Sequence, residues 1–426
     1  PIFRIELGEE DLSMVLWIPK NREELKKHLS DPLFKNAYFL MFSSLTSAGS
    51  GFFFWLIAAR FYSAKQIGLA SALISSTGLI SMLSLLGFDI SLVRFLPERE
   101  DKQDLINSCL TVSFISSLVL ALVFIAGIDV WSPSLSIIKE NKNLLLLFIL
   151  FTAISPILFL QSSVFVGFRK AEYSFMQTIA TFARIGVAPF LTSFGALGIY
   201  FAHNLTSVVG ILVGIFLTSK LIDYKYSTPK KGIIKDIFHY SVGNYIANVF
   251  SQLPGFILPL LVINVLGAEQ NAYFFIVWTF SGLLLIIPLA TSTSLLAKCS
   301  YGEELRSNAI RALKFIFILL IPLVTSVFLF GDFLLQIFGK QYAEKSFDVL
   351  RILALASIPY SINTLYAYIK RIQKEIKPVI LVYGGIAFIT IVASFFLIRF
   401  GIVGVGIAWV VGNCVVASGI GLKIAH

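Results

Sequence analysis

An arginine stands where an otherwise apolar segment would cross a lipid bilayer: Arg184, midway along "EYSFMQTIATFARIGVAPFLTSF" (172–194). Ser174, Gln177, Thr181 and Arg184 are spaced by 3, 4 and 3, which places them on one face of a helix. A guanidinium at membrane depth is costly and marks a functional position by default, and its fork of donors suits phosphate-like anions. A purely structural hydrogen-bonding role is the other reading of the same residue. The seventh apolar stretch repeats the device with Ser241, Asn244, Asn248 and Gln252. The first carries Ser43, Thr46, Ser47 and Ser50 with Gly49 and Gly51, where small residues are expected to permit close helix packing. Gln177, Thr181, Asn244, Asn248, Gln252 and Ser47 are the candidate polar lining of a cavity.

What is missing narrows the chemistry. No apolar stretch holds an Asp or Glu in its interior; the nearest, Asp89, Glu172, Glu269 and Asp348, fall at ends. A cavity that exports organic cations, or a proton relay, keeps a carboxylate at membrane depth. HExxH, P-loop and paired-carboxylate motifs do not occur, and Cys109, Cys299 and Cys414 are scattered, so neither a metal site nor a cofactor is expected. His203, beside Asn204, reads as a hydrogen-bonded interior residue because no second His or Cys accompanies it. Arg94 in "SLVRF" and Lys298 in "SLLAK" lie 204 residues apart. They fit two readings, a pair of bases facing each other across an inner mouth or simple anchoring at the cytosolic surface.

The elements that must position these residues are transmembrane. Of the 426 residues 57% are hydrophobic and only 14% charged, and mean hydropathy is +0.85. That leaves too little polar surface to clothe a soluble globule. Spanning helices are predicted over 37–59, 66–88, 105–127, 143–166, 173–193, 196–219, 239–263, 270–294, 309–330, 346–369, 376–398 and 401–423. The 34 lysines and arginines divide as 25 on the side of both termini and 7 on the other, with Arg184 and Arg351 inside spans. The positive-inside rule then puts both termini in the cytoplasm and Arg60 in the first external turn. Arg351 is expected to reach to the membrane interface, and Trp55, Tyr62 and Trp131 to form an interfacial belt. Residues 1–36, with acids ahead of a short apolar piece, read as a cytosolic or interfacial tail and not a secretory signal. The net charge of +10 needs only anionic lipid headgroups as its counterpart, and no nucleic acid.

The chain also repeats. Ala64 and Gln66 match Ala268 and Gln270; "FLTSFGALGIYFA" (190–202) aligns with "FLIRFGIVGVGIA" (396–408), pairing Gly195 with Gly401 and Gly198 with Gly404; Pro156 meets Pro359. The fold class expected is therefore all-α and polytopic, twelve helices in two six-helix lobes related by a pseudo-two-fold axis along the membrane normal. The lobes would span 37–221 and 239–426, with 222–238 a cytosolic linker. The longest external connection, 128–142, leaves no room for an extracytoplasmic catalytic domain, so a transporter is expected and not an enzyme.

"GFFFWLIAARFYSAKQIGLASALIS" followed by "LLGFDISLVRFLPE" resembles the opening helices of polysaccharide biosynthesis proteins, the oligosaccharide-lipid flippases of the multidrug/oligosaccharidyl-lipid/polysaccharide exporter superfamily. Trp55, Ala59, Arg60, Tyr62, Gly68, Gly87, Arg94, Phe95 and Pro97 carry the likeness. The resemblance implies a MATE-like V of two lobes, alternating access, and a polyprenyl-diphosphate-linked oligosaccharide carried from the cytosolic to the outer leaflet of the cell membrane. On that basis Arg184, Arg94, Lys298 and Arg60 would neutralise the diphosphate and the polar stripes would meet the sugars. The partners implied are the lipid-linked oligosaccharide, membrane lipids and other glycan-assembly proteins, with a monomer as the transport unit. Three alternatives stand beside it. A drug exporter of the same fold is expected to hold an acid in a lobe interior. A major facilitator carrier would show GxxxDRxGRR between helices 2 and 3. A membrane glycan polymerase would need a long external loop.

Overall fold

A computed structural model describes residues 32–222, 227–300 and 304–425, and the described residues are helical with no strand. The tail expected over 1–36 lies outside them up to residue 31, and the first helix begins at Pro32. Twelve crossings follow in order: α1 (Pro32–Phe61), α2 (Ala64–Ser84), α3 (Lys102–Ala126), α4 (Lys142–Gly167), α5 (Ala171–Thr181), α6 (Ala196–Ser219), α7 (Lys231–Leu266), α8 (Ala268–Ser300), α9 (Leu305–Gln336), α10 (Lys340–Ile372), α11 (Ile376–Leu397) and α12 (Gly401–Ala425). Ten runs are long and apolar enough to cross a membrane, one of them holding both α11 and α12. The fifth crossing fails that test because it is broken.

The break has a local cause. After α5 ends at Thr181 the chain makes a single helical turn, Arg184–Val187, and then a 3-10 stretch, Ala188–Phe194, with a non-helical step at Leu191. Pro189 has no N–H to donate back and its ring crowds the preceding turn. The Ala188 carbonyl accepts from the Tyr62 hydroxyl at 2.6 Å. Tyr62 is therefore buried, as is Trp55, whose ring meets Phe275 edge-on at 4.9 Å. These two rings build the core at the Arg60 end of the molecule, the outer end by the positive-inside reading, and of the expected belt only Trp131 is exposed.

The internal repeat is physical. Gly195 (φ +57°) and Gly401 (φ +71°) each end a 3-10 stretch and open the last helix of their half. Three residues on, a Cβ at Gly198 would lie 2.0 Å from the Leu191 carbonyl oxygen, and one at Gly404 would lie 1.8 Å from that of Leu397. Helix pairing repeats as well: α1 packs on α5 as α7 packs on α11, α2 on α4 as α8 on α10, and α4 on α6 as α10 on α12.

Between the lobes the symmetry is broken. α2 is a ribbon of small residues and lies deepest, buried over 72% of its apolar window, because it packs against α7 and α8 as well as its own lobe. The amino-terminal lobe meets α7 along its length, through α2, the turn after α3 that holds Ser134 and the short helix that holds Ser91. Outside, the Ser134 amide donates to Asn264 Oδ1 at 3.0 Å; in the middle Gly78 lies against Phe256; inside, the Tyr245 hydroxyl donates to the Leu83 carbonyl at 2.7 Å and Ser91 bonds Ser241. The α1–α8 side is different. Phe52 and Trp55 meet Phe280 and Phe275 in the outer half, whereas the inner half of α1 touches α5 through Phe39–Phe175 and Ser43–Thr178. Phe42, Leu45 and Ser47 are exposed there, and nothing lies within 4 Å of where a Cβ would stand on Gly49 or Gly51. Gly49 and Gly51 of α1 thus serve no close packing, whereas Gly68 and Gly78 of α2 lie directly against the other lobe. Among the described residues the lobes are shut outside and parted along α1–α8 inside.

Candidate functional site

The break in the fifth crossing delivers Arg184 to mid-depth in the amino-terminal lobe. The side chain is half-buried, with Nε donating to Ser50 Oγ at 3.1 Å, Nη1 meeting His203 Nδ1 at 3.3 Å, and the guanidinium 5.4 Å from the centre of the Phe54 ring. α1, the Arg184 turn and α6 each contribute one wall. A guanidinium nitrogen can only donate, so His203 Nδ1 is the unprotonated nitrogen and the imidazole is neutral. Every partner of Arg184 is therefore uncharged, and among the described residues no carboxylate pairs with it. Its remaining donors and its charge are available to an anion, in surroundings where such a charge interacts strongly.

The expected companions do not gather around it. Arg60 is exposed at the outer end of α1. Arg94 sits on a separate short helix, Phe88–Phe95, because the left-handed steps at Leu86 and Gly87 turn the chain out of α2. It is exposed, pairs with Glu98 and lines a surface hollow of about 640 Å³ with Asp89, Ser163 and Arg169. Lys298 stays on the last turn of the continuous α8, half-buried. The four bases are strung from outer end to inner base of the molecule, not clustered.

The polar stripes divide in the same way. Gln177 is buried inside its lobe, its amide donating to Gln161 Oε1 at 2.7 Å and to the Gly210 carbonyl at 3.3 Å, which knots α4, α5 and α6 together. Thr181 turns its hydroxyl to the Thr178 carbonyl. Ser47 and Gln252 are exposed and Asn244 is half-buried. Ser241 is consumed by the inner seam with Ser91.

A second cationic group went unrecognised in the sequence. α10 continues through "YIKRI" to Ile372, so Arg371 belongs to a helix and not to a basic loop. Its Nη2 donates to Asn248 Oδ1 at 3.3 Å, the guanidinium lies 5.0 Å from the Tyr368 ring, and Tyr368 in turn bonds Thr293 of α8 at 3.2 Å. Its Nε is buried without a partner. The absence of Gly or Pro between Tyr360 and Gln373 was the available sign that the helix runs on. The other span arginine, Arg351, lies 3.8 Å from the Phe347 ring and pairs with Asp348 near the outer start of α10.

Twelve crossings in two matched lobes define a class: a multi-pass membrane protein with the fold of the multidrug/oligosaccharidyl-lipid/polysaccharide exporter superfamily. Among solved structures the chain is similar to the lipid II flippase MurJ in an inward closed conformation (TM-score 0.72, 15% identity, 92% of this chain and 88% of that one). It is also similar to an inward-facing multidrug resistance MATE family transporter of that superfamily (TM-score 0.66, 18% identity, 87% and 92%). The chain belongs to the polysaccharide biosynthesis protein family, whose match covers residues 33–274, more than half its length. A relative in Methanocaldococcus jannaschii, an uncharacterized membrane protein, is 23% identical over 356 residues, covering 78% of this chain and 83% of that one.

Proposed function

We propose that the protein is a flippase that carries a polyprenyl-diphosphate-linked oligosaccharide from the cytosolic to the outer leaflet of the cell membrane by alternating access of its two lobes, for surface polysaccharide or glycan assembly. The observation that carries the reading is Arg184, held at mid-depth by Ser50, His203 and Phe54 with no carboxylate beside it among the described residues. Such a site attracts an anion and disfavours the organic cations of a drug exporter. The parted inner half of α1–α8 gives a lipid-linked headgroup a way in while its tail stays in the bilayer, and Arg371 with Asn248 and Tyr368 offers a landing point on the inner side. Family membership supports a glycan substrate, and the MurJ likeness supports a lipid-linked one. Lys298, Arg94 and Arg60 would then act at the inner and outer ends of the path, and Asn244, Gln252, Ser47 and Thr181 toward sugars. Both termini would face the cytoplasm, and one chain would be the transport unit.

The test is transport of a fluorescent polyprenyl-diphospho-oligosaccharide by the protein in liposomes. Arg184→Glu replaces the attraction with repulsion and is expected to lower transport by more than about tenfold, a barrier change above ~1.4 kcal/mol, with insertion and thermal midpoint unchanged. Normal transport by that variant would remove Arg184 from the path.

A further inference from the structure

We infer that His203 is a proton-accepting partner of the Arg184 anion site: a diphosphate bound there is held by Arg184 and by a His203 that becomes protonated as the anion arrives. The inference rests on the anion-binding reading of Arg184 given above.

The geometry sets the starting state. Nη1 of Arg184 donates to His203 Nδ1 at 3.3 Å, so in the empty site that nitrogen carries no proton and the imidazole is an acceptor. A phosphate oxygen is a stronger acceptor than an imidazole nitrogen, so an arriving diphosphate draws Nη1 to itself and frees Nδ1. The lone pair released there faces two new negative charges. One proton is then taken up from the bulk buffer onto Nδ1, and the resulting N–H donates to a phosphate oxygen. When the anion leaves, the proton returns to water and Nη1 resumes its bond to Nδ1.

The charge count supports this arrangement. A diphosphate diester carries two negative charges. Arg184 supplies one positive charge, and among the described residues no second permanent base touches it. Protonated His203 supplies the second, so the loaded centre is neutral at the depth where uncompensated charge is most expensive. The empty centre keeps only the single charge of Arg184.

Among the described residues no ionisable group other than Arg184 is in contact with His203; Tyr62, whose hydroxyl lies against α6 at Gly198, gives its proton to the Ala188 carbonyl. Elements packed around α6 place theirs at the ends: Lys65 at the outer start of α2, Lys142 at the outer start of α4, and Glu172 and Tyr173 at the inner start of α5. On α1, which faces His203 through Phe54, they are Lys35 and Tyr38 toward the inner end and Arg60 at the outer one. Tyr200, on α6 itself, turns its hydroxyl to Thr77 at 3.2 Å.

The experiment measures binding of farnesyl-diphospho-N-acetylglucosamine to the full chain in nanodiscs. This probe is a diester whose two charges do not titrate near neutrality. Calorimetry in buffers of differing ionisation enthalpy counts protons, and isotherms between about pH 6 and pH 8 give the linkage, because histidine titrates in that range. Wild type is expected to take up a proton on binding and to lose affinity as pH rises, by up to about tenfold per pH unit, the limit for one linked proton. His203→Gln keeps an acceptor for Arg184 and is expected to bind with no proton uptake and a flat pH profile. Proton uptake that persists in His203→Gln, or wild-type binding with none, overturns the inference alone. Absence of probe binding by wild type, or binding indifferent to Arg184→Glu, overturns the anion site and the inference with it.

Discussion

Gly68→Ala is expected to unlatch the outer face. A Cβ built on Gly68 would stand 1.6 Å from the Ala268 carbonyl oxygen, 2.5 Å from its carbon and 3.0 Å from the Ala272 nitrogen, all backbone atoms of α8. A carbon meets a carbonyl oxygen at about 3.3 Å, so α2 and α8 have to part by roughly 1.7 Å at their outer ends. The bond from Asn271 Nδ2 to the Gly68 carbonyl, 2.8 Å long, is pulled apart at the same point, at a cost of about 1 kcal/mol. Overpacking of this kind costs about 1–3 kcal/mol. At ~1.4 kcal/mol per decade, the population shut on the outside falls by about five- to a hundredfold. Nitroxide labels on Phe61→Cys and Lys340→Cys, both exposed at the outer ends of opposite lobes, report the change by double electron–electron resonance with the native cysteines replaced. The distance distribution should shift longer in Gly68→Ala and stay put in Gly49→Ala, where a methyl group meets open space. An unchanged distribution in Gly68→Ala would refute the assignment of this contact as the outer latch.

Two further outcomes concern the supports of the site. Tyr62→Phe removes the donor to the Ala188 carbonyl and should destabilise the protein by about 1–3 kcal/mol, the range for a buried acceptor left without its partner; a thermal midpoint equal to wild type would show that the broken crossing does not depend on it. Just before α3 Arg99 bonds both oxygens of Asp101, at 2.7 and 3.2 Å, and this holds the Asp101 carboxyl below the usual carboxylate range. A folded-state value lowered in this way contributes stability above the unfolded value, which is lost as pH falls through the folded one. The part-exposed pair limits the effect to under about 1 kcal/mol. Chemical denaturation should show a small acid-side loss in wild type that Asp101→Asn abolishes.

Composition and periodicity decide much here because lipid is an undemanding solvent to read. Every backbone amide must be satisfied within a helix, so long apolar runs declare themselves, and α6, α11 and α12 stand within two residues of the bounds read from hydrophobicity. The twofold arrangement was legible too, since Gly195 and Gly401 answer a backbone demand that few other residues meet. Arg184 was legible as an anomaly, a charge where none is tolerated without purpose.

Packing decided the rest. The fifth crossing does not resume as an α-helix at Pro189, and the Ala188 carbonyl beside it is taken by the Tyr62 hydroxyl, 126 residues earlier in the chain; no local pattern announces such a partner. Trp55 and Tyr62 carry the side chains of a membrane belt, yet the α1–α8 contact and the broken crossing bury them. Gln177 and Ser241 share a stripe pattern with cavity residues, but a neighbouring helix consumes each. Arg94 and Lys298 are equivalent by position and differ in setting because the chain turns left-handed at Leu86 and Gly87. Arg371 reads as a loop base until α10 is seen to continue beneath it. Sequence fixes which residues lie at which depth along each helix, because rise and periodicity are local properties. Which of them face one another is set by how twelve helices share their grooves, and that is a property of the whole fold.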